Sequence, residues 1–208
     1  MEFTKEKIHE IVLKQRSFFN SGTTLPISWR IAQLKKLKNA IISHEKDICD
    51  ALYKDLGRDE MESYLIDVAD TLLEINEAIH HLKRWSKAKT LRSGLMLFPS
   101  LTTKVYRSPY GVSLIISPFN FPFYLTFGPL VGAISGGNTA VIKTSSKSAN
   151  STMVMQKIVS EIFPENYVVV IDGGHDVADY CLNERFDKIF YTGSPRVGVH
   201  VLECASKN

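Results

Sequence analysis

Four short polar segments follow directly on apolar runs, and each holds residue types suited to chemistry. "SPFNFP", from Ser117 to Pro122, follows "GVSLII" and sets Asn120 between two aromatics and two prolines. A carboxamide there can donate to a developing oxyanion, and the prolines would fix its backbone so that the donor is aimed beforehand. Asn and Pro are equally the residues of a plain chain reversal. In "IKTSSKS", Lys143 ends an apolar run and could reach phosphate or ribose oxygens, with Ser145 and Ser146 adding hydroxyls. A lone Lys also marks a strand leaving a core. In "DGGHD", Gly173 and Gly174 allow close approach to a flat ligand or serve a tight turn. "YTGSPRVG" carries Gly193 for a turn, Ser194 for a cap, Pro195 for a first helical position, then Val197 and Gly198. The free amides of such a helix start make a pyrophosphate site, although helix capping alone uses the same residues. The segment matches neither GxGxxG nor the GK[ST] of a P-loop.

The elements that must position these segments alternate from Gly111 onward. Strands "VSLIIS", "TAVIKT", "YVVVIDGG" and "DKIFYTGS" are separated by helices "FYLTFGPLVGAISGG", "ANSTMVMQKIVSEIF" and "HDVADYCLNE", and "PRVGVHVLECASKN" forms a last helix. Strands apolar throughout and joined by helices predict an α/β fold, a doubly wound parallel sheet buried on both faces. Ligands of such sheets bind beyond the carboxyl ends of the strands, where all four segments fall.

The first hundred residues read as helical. Apolar positions predict helices over Ile8–Phe19, over one stretch from Ser28 to a cap at Gly57, and over Met61–Trp85 with Leu65, Val68, Leu72, Ile75, Ile79, Leu82 and Trp85 along one side. Residues 86–100 lose the pattern and read as a connector. Leu101, Thr103 and Val105 alternate with polar positions, which predicts a half-exposed strand ending at "SPYG". The expected organisation is a helical segment with connector over 1–100, a strand over 101–110, and the doubly wound sheet region over 111–208.

Composition narrows the function classes. With 44% hydrophobic and 23% charged residues, 208 residues can bury a real core. The charged start "MEFTKEKIHE" and the lack of any eighteen-residue apolar run predict a soluble, cytoplasmic protein without a membrane span. A net charge of +3, interspersed with acids, does not favour nucleic acid; the Lys and Arg residues from Arg84 to Arg107 are its only suggestion. Cys49, Cys181 and Cys204 are too far apart for a disulfide framework or zinc site, so no metal is expected and all three read as reduced thiols. None of the six histidines shows a spacing that pairs it with a Cys, and they read as surface residues.

Taken in order, the segments resemble one family. "RSFFNSGTTLPISWRIAQLKKLKNAI", "SPYGVSLIISPFNFPFYLTFGPLVGAISGGNTAVIK" and "FDKIFYTGSPRVG" resemble the aldehyde dehydrogenases, in particular the branch acting on fatty and aromatic aldehydes, and the resemblance runs from about Val12 to Asn208. It implies that Asn120 is the oxyanion donor, steadying the tetrahedral intermediate formed when a cysteine thiolate attacks an aldehyde. It implies that Lys143 binds the adenosine ribose of NAD or NADP, that Ser194 and the helix start after Gly193, with Gly198, hold the pyrophosphate, and that Val197 packs beside adenine. The Ile116–Phe119 backbone, including Ser117, would line the nicotinamide side, and Gly174 completes the cofactor-binding set. The strand over 101–110 resembles part of the arm through which members form homodimers, with partner strands expected from sequence beyond Asn208, and the resemblance makes 111–208 the dinucleotide-binding region.

Departures from the family pattern carry expectations of their own. Phe119 stands where many members have Trp, which keeps an apolar wall. "SGGN", from Ser135 to Asn138, stands for "AAGN" and should alter helix packing more than chemistry. Ser146 stands where many members have the acid that accepts from the ribose 2′-hydroxyl; its absence, with Lys143 and Lys147 nearby, makes NADP tolerable. The resemblance places the general-base Glu and nucleophilic Cys beyond Asn208, so the chain alone is expected to be inactive. The alternative is a truncated, non-catalytic module that binds a dinucleotide or a partner.

Overall fold

A computed structural model describes residues 3–94, 97–100 and 102–207. Leu101, the expected first residue of the arm strand, lies outside the described residues. Strands β3 (Val112–Ile116), β4 (Thr139–Lys143), β5 (Val168–Ile171) and β6 (Lys188–Tyr191) form a parallel sheet in the order β5-β4-β3-β6. Helices α6 (Tyr124–Gly136), α7 (Ala149–Ile162) and α8 (His175–Leu182) connect them, and α9 (Pro195–Ala205) follows β6. This is the expected doubly wound arrangement.

Period-two alternation divides the strand residues between two cores. Ile115, Ala140, Ile142, Val168 and Val170 pack with α2 (Ile27–Ser43), α5 (Asp70–Trp85), α6 and α7. Val112, Leu114, Val141 and Ile171 face the other way, against α1 (Lys5–Asn20), α8 and α9. Helices of the first hundred residues therefore cover both faces of the sheet. The outermost strand departs from the expectation of burial on both faces. In β6, an edge strand on which α9 packs, Phe190 is 44% exposed.

The single helix expected over Ser28–Gly57 is two. His44 (φ −106, ψ 15) breaks it between α2 and α3 (Glu45–Leu56). Its ring is held by Asp47 at 2.9 Å and by Glu161 of α7 at 2.8 Å, which turns α3 onto α7. His44 is accordingly no plain surface residue, and the two carboxylates raise its pKa.

The helix expected over Met61–Trp85 contains a change of period. A short α4 (Glu60–Ser63) leads into a π turn over Tyr64–Ala69 before α5. The extra residue per turn rotates Leu65 outward, to 54% exposed, and brings Asp67 inside at 1%. Leu65 therefore leaves the apolar side on which a constant 3.6-residue period had set it.

The connector over 86–100 contains β1 (Lys89–Arg92), which pairs antiparallel with β2 (Thr102–Val105). The arm strand thus finds one partner within this chain. Both strands are exposed at every position instead of half-exposed, so no alternation was needed to make them. Among the described residues, no helix is long and apolar enough to cross a membrane.

Candidate functional site

Parallel register brings the four segments to one sheet edge. Ile116 lies opposite Lys143 and Tyr191, and Lys143 lies opposite Ile171, so all four strands end level. With neighbouring strands about 4.8 Å apart, the four ends span ~15 Å. The loops leaving them hold Ser117–Asn120, Thr144–Ser148, Asp172–Gly174 and Thr192–Ser194.

Lys143 is not a charge escaping the core. It is 3% exposed, and its Nζ donates to the carbonyls of Thr144 and Gly173, each at 2.7 Å. An ammonium has three hydrogens, so one remains for a ligand. Burial pulls its pKa down, partly offset by Cys181, Asp172 and Asp176.

In the first loop, Ile116 is half-buried and Ser117 is buried, its hydroxyl accepting from Thr126 Oγ1 at 2.7 Å. The Ser117 amide donates to the Lys143 carbonyl at 3.1 Å, which locks the start of this loop to β4. Phe119 is exposed, with the Lys147 ammonium 5.0 Å from its ring centre. The Asn120 carboxamide makes no hydrogen bond to another described residue, while its main-chain oxygen accepts from Arg58 at 2.6 Å. Ser146 stands exposed at the tip of the second loop.

Gly174 caps α8 in extended conformation. In the last loop Ser194 caps α9, its Oγ accepting from the Val197 amide at 3.5 Å, and Pro195 opens the helix. A side chain at Gly193 would strike the Tyr191 phenol, whose hydroxyl donates to the Ser194 carbonyl at 3.0 Å. Val197 and Gly198 are half-buried behind this turn. The Gly193–Ser194 turn and the α9 start thus present free amides at the edge that carries Lys143. No side-chain hydrogen bond among the described residues joins Ser194 to Asn120; they share an edge without touching.

These features fit an extended anionic ligand with a hydroxylated portion: backbone amides at one end, a buried ammonium between, and a free carboxamide beyond. The sequence model of the aldehyde dehydrogenase family matches residues 1–208. The chain belongs to the aldehyde dehydrogenase family. It is similar to 4,4′-diaponeurosporen-aldehyde dehydrogenase of Staphylococcus aureus, 43% identical over 210 residues, which cover all of this chain and 44% of that one. A solved aldehyde dehydrogenase structure, the substrate-bound state of Staphylococcus aureus AldH, superposes with a TM-score of 0.95 at 42% identity, over all of this chain and 44% of that one. A betaine aldehyde dehydrogenase of Staphylococcus aureus solved with NAD+ shares the fold, with a TM-score of 0.88 at 22% identity over 100% of this chain and 41% of its own. The chain thus spans under half the length of the aldehyde dehydrogenases it matches.

Other residues gain meaning only from the fold. "SGGN" acts in packing: Gly137 adopts φ 82 against Arg30, and Asn138 Oδ1 accepts from the amides of Tyr110 and Gly111 at 2.8 and 3.0 Å. Cys204 does meet a histidine, contrary to expectation: the i, i+4 spacing sets its Sγ 3.8 Å from His200 Nε2. That same nitrogen contacts Asp179 at 2.8 Å, so it is not turned toward the thiol as a base would be. Sequence reasoning missed Arg58 and Asp67. Their one signal was position, a base just past the Gly57 cap and an acid beside the apolar stripe of a helix.

Proposed function

We propose that these 208 residues form the cofactor-binding part of an enzyme that oxidises an aldehyde to a carboxylic acid through a cysteine thioester. The observation that carries the reading is the shared sheet edge: a buried Lys143 ammonium with one free hydrogen, the Ser194-capped helix start, and an unengaged Asn120 carboxamide. NAD or NADP would supply the hydride acceptor, held by Lys143 at the adenosine ribose, by Gly193, Ser194 and Gly198 at the pyrophosphate, and by Val197 beside the adenine. Gly174 lets the backbone approach the ligand. Ile116, Ser117 and Phe119 wall the nicotinamide side.

Asn120 is the catalytic residue of this portion. When a thiolate adds to the aldehyde carbonyl, negative charge gathers on oxygen, and a carboxamide N–H fixed beforehand stabilises that charge without having to reorganise. The nucleophilic Cys and the general-base Glu come from sequence beyond these residues, so the 208-residue chain binds the dinucleotide without turnover. Ser146, in place of an acid, leaves the 2′-position open to NADP as well as NAD. The divisions at 1–100, 101–110 and 111–208 serve as cover, arm and cofactor-binding region. The exposed β1–β2 ribbon suits homodimer formation in the complete enzyme.

Calorimetric titration of the chain with NAD and NADP, alongside an assay with long-chain and aromatic aldehydes, tests the reading. Saturable binding without turnover is expected; absence of saturation by about 1 mM of either dinucleotide overturns it.

A further inference from the structure

One ion pair in the helical layer governs the loop that carries Asn120. Helix α3 ends at Gly57, whose left-handed conformation (φ 67) turns the chain and sends Arg58 back toward the sheet. The Arg58 side chain is 10% exposed and that of Asp67 fully buried, with Nη1 2.6 Å from Asp67 Oδ2. The second Arg58 nitrogen donates to the Asn120 carbonyl at 2.6 Å, and the guanidinium lies 4.9 Å from the Phe121 ring centre. The other Asp67 oxygen accepts from the amides of Phe123 and Tyr124 at 3.0 and 2.9 Å. Those amides belong to the start of α6, which has no cap from its own side chains.

We propose that Arg58 and Asp67 are positioning residues for Asn120, holding the main chain from Asn120 to Tyr124 so that the carboxamide is presented at the sheet edge. The proposal rests on reading Asn120 as the oxyanion donor. A fork-shaped guanidinium binds the carboxylate and the carbonyl in one plane, which fixes direction as well as distance. The carboxylate serves the helix amides from outside the helix, where negative charge is favoured. Main-chain oxygen and following amides are therefore anchored on either side of the Asn120 side chain, which stays free. The π turn is what aims Asp67 inward; a regular helix would carry that carboxylate past the loop.

Removing Arg58 outright would strand a buried carboxylate, so the test uses Arg58→Lys and Asp67→Asn in the 208-residue chain. Lysine keeps a charge for Asp67 but, as a point donor, gives up the fork. Asparagine keeps an oxygen for the two amides but not the charge that orients Arg58. The expected result, read by NMR, is that both variants shift the Asn120 side-chain NH2 resonances and lower the backbone order parameters of residues 119–121, with amide exchange elsewhere unchanged. Phe123, Tyr124, β3 and β4 should stay protected. Unmoved Asn120 resonances in both variants overturn the proposal, as does protection lost evenly across β3 and β4, which marks a general stabiliser. Neither readout involves a dinucleotide. Failure of the unaltered chain to bind NAD or NADP therefore counts against the proposed function, and unmoved resonances count against positioning alone.

Discussion

The Lys143 ammonium lies 2.7 Å from the carbonyl oxygen of Gly173, so a side chain ending one strand fastens the loop that leaves the next. The same nitrogen that would meet a ribose also shapes the site. Replacement by methionine, similar in length and uncharged, should weaken NAD binding at least tenfold by calorimetry. It should also lower stability by about 1–3 kcal/mol in urea unfolding, because the Gly173 carbonyl loses its partner. Unchanged affinity in a folded K143M chain would detach Lys143 from the cofactor.

Under the proposed function, Ser146 sets the choice between the two dinucleotides. A carboxylate there would accept from a ribose 2′-hydroxyl but repel a 2′-phosphate. In the unaltered chain, NADP and NAD dissociation constants should lie within about a hundredfold, a gap of 2.7 kcal/mol or so. Ser146→Glu should weaken NADP by about tenfold or more while NAD holds or tightens. Equal losses for both ligands would show that the serine does not see the 2′-position.

His44 makes stability depend on pH. Its carboxylate partners Asp47 and Glu161 raise its folded pKa, so its contribution is complete below the unfolded value of about 6.5 and is lost as pH rises through the raised value. His44, then Lys157, lower the pKa of Asp47, so that contribution is present above about 3.9 and is lost as pH falls through the lowered value. The contact is therefore strongest between those unfolded pKa values. His44→Gln should flatten the decline in unfolding midpoint as pH rises above about 6.5. An identical pH profile in the variant would remove His44 from the account.

The β6 edge should make the isolated chain associate. Val199 and Leu202 are 56% and 71% exposed along a groove of about 660 Å³ beside β6 and α9, and Phe190, outside that groove, is 44% exposed on the same edge strand. Sedimentation of the 208-residue chain should show concentration-dependent oligomers that Leu202→Lys diminishes. A monomer at every concentration would mean that this face is inert.

Much of the fold is legible in the residues because it follows from local rules. Continuous apolar runs such as "VSLII" and "TAVIK" need cover on both faces, and the helices between them make the parallel sheet. That logic fails where neighbours decide. Nothing local distinguishes His44 from a mid-helix residue until Glu161, 117 positions away, takes its ring nitrogen. The β1 strand escaped notice because an exposed ribbon buries neither face and so leaves no alternation.

By itself, the sequence determined the family, the doubly wound class and the four segments that carry Asn120, Lys143, Gly174 and Ser194, because motif order and apolar period are properties of neighbouring residues. Only the tertiary structure decided that Lys143 is buried rather than exposed, that the Asn120 carboxamide takes no hydrogen-bond partner among the described residues, and that Arg58 and Asp67 grip the loop around it. Those outcomes depend on long-range packing: a π turn of one extra residue sends a carboxylate inward, and its place beside a loop more than fifty positions onward is set only when α3, α5 and α6 close on the sheet.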